Sequence, residues 1–314
     1  MPCYNEEAAI PILLDAISDL VRGLGESGQI SGSVDVLLVD DGSSDATWAT
    51  IRDAGQNATA NLRLRGLRLS RNQGHQRALL AGLLQAEGDV VVSMDADLQD
   101  DPKAVHRMIA AWRDGAEIVF GQRASRETDT AFKRTTARAY YQLMHRLGVD
   151  LIPDHADYRL MSRKALDALS EFEEENLFLR GIVRQIGFQT AIVQYDRQSR
   201  SAGHSKYPLT RMIALAVDGM TSFSVTPLRV IALTGLVVAM LSMFYVIYSI
   251  VVWALGGTVP GWASIVVSIY FLGGLHLVAL GIIGEYIGKM YLETKRRPRF
   301  IIDELTDFSE RPQP

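Results

Sequence analysis

The chain has 314 residues, 48% hydrophobic and 22% charged, with a formal net charge of −4. That average hides a division, because residues 230–284 contain no Asp, Glu, Lys or Arg and all 32 basic and 36 acidic residues lie elsewhere. The division excludes a purely cytosolic enzyme, a disordered protein and a polytopic transporter; the single cysteine, Cys3, excludes a disulfide scaffold, and the mild acidity gives no reason to expect nucleic acid as a partner.

In chain order, Met1-Pro2-Cys3-Tyr4-Asn5-Glu6-Glu7 reads as the loop after a strand, with that first strand missing. The chain turns polar within these residues, so no signal peptide is expected. Val34 to Val39 is a buried strand ending at Asp40-Asp41, and Ser44 to Asn57 is a helix with a Ser or Asp cap. Leu62 to Leu69 alternates as a strand, Gln73 to Glu87 is helical, and Asp89 to Met94 is another buried strand. Pro102 to Asp114 is a helix with proline near its first turn, and Ala116 to Phe120 a further strand. Strand–helix alternation with continuous apolar strands predicts an α/β fold with a mostly parallel sheet. Ligands bind such sheets at the carboxyl ends of the strands, so the informative residues should follow the strands.

They do. Asp95-Ala96-Asp97-Leu98-Gln99-Asp100-Asp101-Pro102 follows a buried strand. Carboxylates at i and i+2 of a loop can turn toward one hard divalent cation, which shares its oxygens with phosphate, and Gln99 can add a carbonyl oxygen. Asp40 and Asp41 also follow a strand, where a carboxylate can accept from a base or ribose hydroxyl; Gly42 permits the turn, and Ser43, Ser44 and Asp45 suit helix capping. Gly121-Gln122-Arg123, then Arg126, Lys133, Arg134 and Arg138, offer fixed cations for a second phosphate or a solvated helix face. His155 precedes Asp157-Tyr158-Arg159-Leu160. The loop from Arg200 through Ser205 and Lys206 to Tyr207 suits a lipid phosphate head or a polybasic anchor. His75, His106, His145 and His276 lack metal-ligand spacing and read as ordinary side chains.

Residues 206–223 carry Leu209, Met212, Ile213, Ala216, Val217 and Met220 at helical spacing, as in a helix lying along a membrane surface. Val230 to Leu255 and Trp262 to Gly284 are each long enough to cross a bilayer, with Gly256, Gly257, Pro260 and Gly261 as the turn between them. Lys206, Arg211 and Arg229 precede this hairpin; Lys289, Lys295, Arg296, Arg297 and Arg299 follow it; the turn carries no charge. Both ends are therefore expected on the cytoplasmic side, with Trp253, Trp262 and Tyr270 near the far interface. The expected division is a catalytic domain over 1–205, an interfacial helix over 206–228, two spans within 229–290, and a basic then acidic tail over 291–314.

PCYNEE, VDDGSSD, RNQGHQRALLAG, DADLQDDP, GQR, DYRLMSR and RSAGHSKY occur in the order seen in family 2 glycosyltransferases of the polyprenyl-phosphate type. The sequence resembles bactoprenol glucosyltransferases and, more distantly, dolichol-phosphate mannose synthases, over nearly its whole length. The resemblance implies a GT-A fold (Rossmann-like), a nucleotide-sugar donor, Mg²⁺ or Mn²⁺, and inversion at the anomeric carbon. It assigns Pro2, Tyr4, Asn5 and Glu6 to the nucleoside loop and Asp41 to the base. Asp95 and Asp97 match the metal and diphosphate motif, with Gln99 as a further ligand. Arg123 matches an arginine near the phosphates, with Arg126 beyond it, and Asp157 an acidic active-site residue that orients the sugar or metal site. Arg200, Ser205 and Lys206 match the acceptor-side loop. Asp101 stands where the family commonly has proline. The implied partners are UDP-glucose, or else GDP-mannose or a UDP-linked amino-arabinose; a polyprenyl phosphate acceptor; and the lipid bilayer, with a homo-oligomer left open. A processive polysaccharide synthase would need many spans and a QxxRW motif, which this sequence lacks. A non-catalytic sugar-nucleotide-binding membrane protein would not need the intact DxD.

Overall fold

A computed structural model describes residues 1–56, 62–124, 155–175, 178–196, 221, 224–256 and 261–307. Arg126, Arg200, Ser205, Lys206 and nearly all of the expected interfacial helix lie outside them. The chain divides into two compact units, one holding residues 1–142, 150–207 and 297–314, the other 143–149 and 208–296.

The first unit is α/β. Its elements are β1 (Pro2–Cys3), α1 (Ala9–Glu26), β2 (Val34–Asp40), α2 (Thr47–Gln56), β3 (Leu62–Leu69), α3 (His75–Gln85), β4 (Val90–Ser93), α4 (Ala104–Arg113) and β5 (Ile118–Arg123). There follow β6 (His155–Ser162), α5 (Arg163–Ser170), α6 (Leu179–Gln185), β7 (Thr190–Tyr195) and, from the far C-terminus, β8 (Ile302–Asp307). The strands form two four-stranded sheets, ordered β1-β2-β3-β8 and β4-β6-β5-β7. In each sheet three strands run one way and one against them: β8 is antiparallel to β3, and β6 is antiparallel to both β4 and β5. The parallel character expected from the sequence holds for the direction of most strands, and β6 and β8 are the exceptions that local patterning did not reveal.

The apolar faces explain the layering. On α1, Ile10, Leu13, Ile17, Val21 and Leu24 are buried, the three-and-four spacing of one helical stripe. They join Leu38, Leu64, Met94, Val119 and Leu160 in one core. Gly82 lets α3 approach β2, since a Cβ there would lie 2.9 Å from Val39 Cγ2.

Two sequence expectations are corrected. The chain does not open on a loop alone: Pro2 and Cys3 pair in parallel with Val39 and Asp40, and the Met1 ammonium donates to the Leu37 carbonyl at 2.8 Å. The segment expected as a basic then acidic tail also contains a strand. β8 is an edge strand on β3, where the Arg63 guanidinium pairs with Asp307, Arg68 lies 3.9 Å from Asp303, and the Trp48 indole donates to Glu304 at 3.1 Å. Arginines along β3 meet acids along β8, and opposite charges across paired strands stabilise the pairing.

In the second unit, α7 (Thr226–Ala254) and α8 (Trp262–Thr294) are the long apolar helices. Each contains a stretch long and apolar enough to cross a membrane, Thr226–Val252 and Val267–Thr294, none of it buried. Large apolar side chains such as Phe244, Tyr270 and Leu277 face outward along both helices, as lipid contact requires. The helix α8 continues beyond Gly284 through Glu285, Lys289 and Glu293. Tyr286 donates to the Ser224 carbonyl at 2.5 Å and Lys289 to Thr221 Oγ1 at 2.6 Å, so the two ends of the hairpin come together.

Candidate active site

The loops after β1, β2, β3 and β4 are sewn to one another in sequence. Asn5 has φ 54°. Its N–H donates to Ser43 Oγ at 3.0 Å and its side-chain oxygen accepts from the Ser44 N–H at 2.9 Å. The Glu6 N–H donates to Thr47 Oγ1 at 2.8 Å, while Asp45 accepts from the Thr47 N–H at 3.0 Å. Ser43 and Ser44 thus hold Asn5 in the loop predicted to meet the nucleoside, and Asp45 takes the N–H at the start of α2. Pro2 is buried within β1, and Tyr4 is exposed.

Asp41 is buried, and both its oxygens face the loop before α3. Oδ1 accepts from the Gln73 N–H at 2.7 Å and Oδ2 from the Gly74 N–H at 2.9 Å. Burial raises its pKa, and those two N–H groups work against the rise. Gly42 is fixed by geometry: it has φ +65°, and a Cβ would meet the Arg71 carbonyl carbon at 2.5 Å. Asp40 lies deeper, accepting from the Ser43 N–H at 3.0 Å with Arg68 3.6 Å away.

After β4, Asp95 and Asp97 are partly exposed, whereas Gln99 and Asp100 are buried. The Gln99 N–H donates to Asp97 Oδ1 at 3.2 Å, and Leu98 between them adopts φ 52°. Left-handed backbone at a leucine costs of order 1–2 kcal/mol, a strain the surrounding packing must hold. The next turn is anchored from beneath. Tyr158 donates to the Asp101 carbonyl at 2.9 Å, Tyr195 donates to Asp100, and the two rings meet edge to face at 5.2 Å. Burial pushes Asp100 up to about 6, against the Tyr195 hydrogen bond. Arg123 stands 4.0 Å from Asp100.

The residue that local reading passed over is His75, the first of α3. Its Nε2 lies 3.6 Å from Asp95 Oδ1 and 3.3 Å from Asp157 Oδ2. Burial lowers its pKa, but the Asp157 hydrogen bond and the charges of Asp95 and Asp157 outweigh that and raise it. Asp157 itself, on β6, is surrounded by cations. Arg159 Nη2 donates to Oδ1 at 2.7 Å, and Arg180 from α6 donates Nε to Oδ1 and Nη2 to Oδ2, each at 3.3 Å. Burial alone would raise its pKa, yet His75, Arg180 and Arg159 hold it well below the ordinary carboxylate range. Asp95 is pushed the other way: burial raises it, His75 opposes, and Asp157 and Asp97 add to the rise. Among the described residues no three His, Cys, Asp or Glu side chains converge on one point as a ready metal cage. Among the predicted residues, the structure brings Asp95 and Asp157 together through His75 and places Arg123 beside Asp100. No spacing rule would have found His75 or Arg180, whose partners are distant in sequence.

Residues 1–170 match the Glycosyl transferase family 2 domain, and residues 226–290 match the GtrB C-terminal hairpin. The chain is 48% identical to the uncharacterized glycosyltransferase YkoT of Bacillus subtilis (strain 168), over 96% of this chain and 90% of that one. It is 40% identical to the bactoprenol glucosyl transferase of Shigella phage SfX, over 96% of this chain and 97% of that one. It is 38% identical to a prophage bactoprenol glucosyl transferase homolog of Escherichia coli (strain K12), over 96% of each chain. The domain match and these relatives place this chain in glycosyl transferase family 2, as a glycosyltransferase with a GT-A-like fold and two helices fit to span a membrane.

Proposed function

We propose that this chain transfers glucose from UDP-glucose to polyprenyl phosphate, with inversion, at the cytoplasmic face of a bacterial-type inner membrane. The observation that carries this reading is the likeness, at 40% identity over 96% of the chain, to a protein named bactoprenol glucosyl transferase. The site chemistry supports it. Tyr4 and Asn5 are exposed on the joined loops after β1 and β2, where a nucleoside would sit, and Asp41, buried, would shape that site by holding the Gln73 and Gly74 N–H groups. Asp95 and Asp97 supply hard oxygens from one loop; burial, with the neighbouring charges of Asp157 and Asp97 added, raises Asp95, and a divalent cation would offset both. These residues fit Mg²⁺ or Mn²⁺, with Gln99 the next oxygen along. Such an ion, when bound, neutralises charge developing on a nucleoside diphosphate leaving group.

The nucleophile would be a phosphate oxygen, already ionised near neutral pH, so no strong general base is required. Arg123 would help hold that phosphate in line behind the anomeric carbon, a matter of positioning. Arg126, Arg200, Ser205 and Lys206 belong to the same acceptor-side reading. The hairpin of α7 and α8 would keep the site at the bilayer surface, where the lipid phosphate is.

The test is transfer by the purified full chain, with Mn²⁺ or Mg²⁺ and undecaprenyl phosphate, from labelled UDP-glucose, GDP-mannose and a UDP-linked amino-arabinose in parallel. Glucosyl lipid from UDP-glucose alone is the expected product. Lipid labelled only from another donor overturns the donor, and no labelled lipid from any of them overturns the reaction. Asp97→Ala is expected to abolish transfer; full activity in that variant would refute the metal assignment.

A further inference from the structure

Asp157 is the most heavily engaged carboxylate of the site, and its partners are this chain's own cations. Oδ1 takes Arg159 at 2.7 Å and Arg180 at 3.3 Å; Oδ2 takes Arg180 at 3.3 Å, with His75 at 3.3 Å. A carboxylate offers about four lone-pair sites, and these four contacts occupy them. Its side chain is only 6% exposed. A group so placed is poorly suited to receive a proton or a substrate hydroxyl.

What it does is hold cations, and two of these reach outward. The His75 side chain is 44% exposed and that of Arg180 36%, whereas Arg159 is fully buried. His75 borders Asp95, so the pair stands beside the carboxylates that would meet the diphosphate. Arg180 also lies in the first turn of α6, where the helix dipole disfavours a positive charge. Its fork onto Asp157 offsets that local disadvantage. A planar guanidinium, rigidly held and partly exposed, matches phosphate oxygens better than any other side chain.

We propose that Arg180, with His75 beside it, contacts the phosphate oxygens of a substrate, and that Asp157 is a positioning residue holding both without touching a reacting atom. The proposal rests on the glycosyl-transfer reading, in which phosphate comes from two sources, the donor diphosphate and the lipid acceptor.

The experiment uses the full chain in detergent or nanodiscs, as wild type, Arg180→Ala, Arg180→Lys, His75→Gln, Asp157→Asn and the double variant Asp157→Asn/Arg180→Ala. Calorimetry measures the affinity for pyrophosphate with Mn²⁺; steady-state rates give KM for donor and for a short-chain polyprenyl phosphate. Arg180→Ala is expected to melt within a few degrees of wild type. It should either weaken pyrophosphate at least tenfold, assigning Arg180 to the donor, or raise the acceptor KM at least tenfold with pyrophosphate unaffected, assigning it to the acceptor. Arg180→Lys should recover part of the loss, and His75→Gln, which keeps a donor near Nε2 but removes the charge, should weaken the same quantity as Arg180→Ala by a smaller, several-fold factor. Asp157→Asn should lose as much as Arg180→Ala, with the double variant no worse than the worse single. The proposal is overturned if Arg180→Ala leaves both quantities within twofold, or if the Asp157 and Arg180 losses multiply. If Asp157→Asn fails to fold, the alanine and lysine variants of Arg180 decide alone. A wild type that binds pyrophosphate yet transfers no sugar refutes the reading of function, and the binding arm still decides this proposal.

Discussion

Replacing Asp157 with alanine should destabilise the first unit by far more than the loss of one hydrogen bond. Arg159 is fully buried, its Nη2 donates to Asp157, and its Nε and Nη1 find no partner among the described residues. Removing the carboxylate strands that charge away from water. Breaking a buried pair from one side costs roughly 3–5 kcal/mol. At roughly 2–4 °C per kcal/mol for a domain of this size, the melting temperature should fall by about 6 to 20 °C. Arg180 adds little, because water can solvate a third of its side chain. Adding Arg159→Met to Asp157→Ala removes the stranded charge and should recover at least half of the loss.

The pH dependence has a definite sign. The Asp157 carboxyl is held below its ordinary 3.8, so its own contribution is fully present above that value and is lost as pH falls through the folded pKa. His75 is raised above 6.5, so its contribution is present below 6.5 and is lost as pH rises through its folded value. The gap between wild type and Asp157→Ala should thus be at least as large at pH 5 as at pH 8, and should shrink only in strong acid. Thermal melting followed by tryptophan fluorescence at several pH values measures it. A variant melting within 2 °C of wild type at pH 7, or a gap that widens from pH 5 to pH 8, would refute the reasoning.

Gly42→Ala should weaken nucleotide binding at least tenfold by calorimetry with UDP and Mn²⁺. Its left-handed backbone costs about 1–2 kcal/mol for alanine, and the new Cβ would press on Arg71 and Asn72, displacing the loop that Asp41 holds. Affinity within twofold of wild type would show that this loop does not shape the nucleotide site. Ending the chain at Ile301 removes β8 with its five register pairs on β3. At about 0.5–1.5 kcal/mol net per lost ladder bond, melting should drop by several degrees, and the emission of Trp48 should shift as its partner Glu304 goes. An unchanged melt would mean that β8 contributes no stability in solution.

The donor-side loops were legible because each follows a run of mostly apolar residues: VDVLLV leads to Asp40 and Asp41, and VVVSM to Asp95 and Asp97. A strand's burial and the polarity of the loop at its end are both local properties. Pairing between distant segments is not. β6 slots between β4 and β5 although 31 residues separate Arg123 from His155, and nothing in HADYRLMS announces an antiparallel neighbour on each side. Asp303, Glu304 and Asp307 look like an acidic tail until Trp48, Arg63 and Arg68 are set against them, more than two hundred residues earlier. His75 was measured against metal-ligand spacing, whereas its partners are carboxylates 20 and 82 residues further on. β1 was missed because two residues leave no alternation to see.

Two carboxylates that share one histidine are driven in opposite directions: Asp157 well below its ordinary pKa and Asp95 above it. The difference lies in their company. Asp157 answers to two arginines and His75, while Asp95 has His75 opposed by Asp97 and Asp157. Environments that pull like groups apart assign them different tasks. Under the proposed function, Asp95 is the carboxylate that a divalent cation would meet, while Asp157 stays ionised among the chain's own cations. A hydroxyl acceptor would require a base at this point to take its proton, and the best-placed carboxylate has its lone pairs already filled. A phosphate acceptor arrives ionised and asks only for fixed positive charge around it. Under the proposed function, His75 and Arg180, held by Asp157 and partly exposed, would supply that charge.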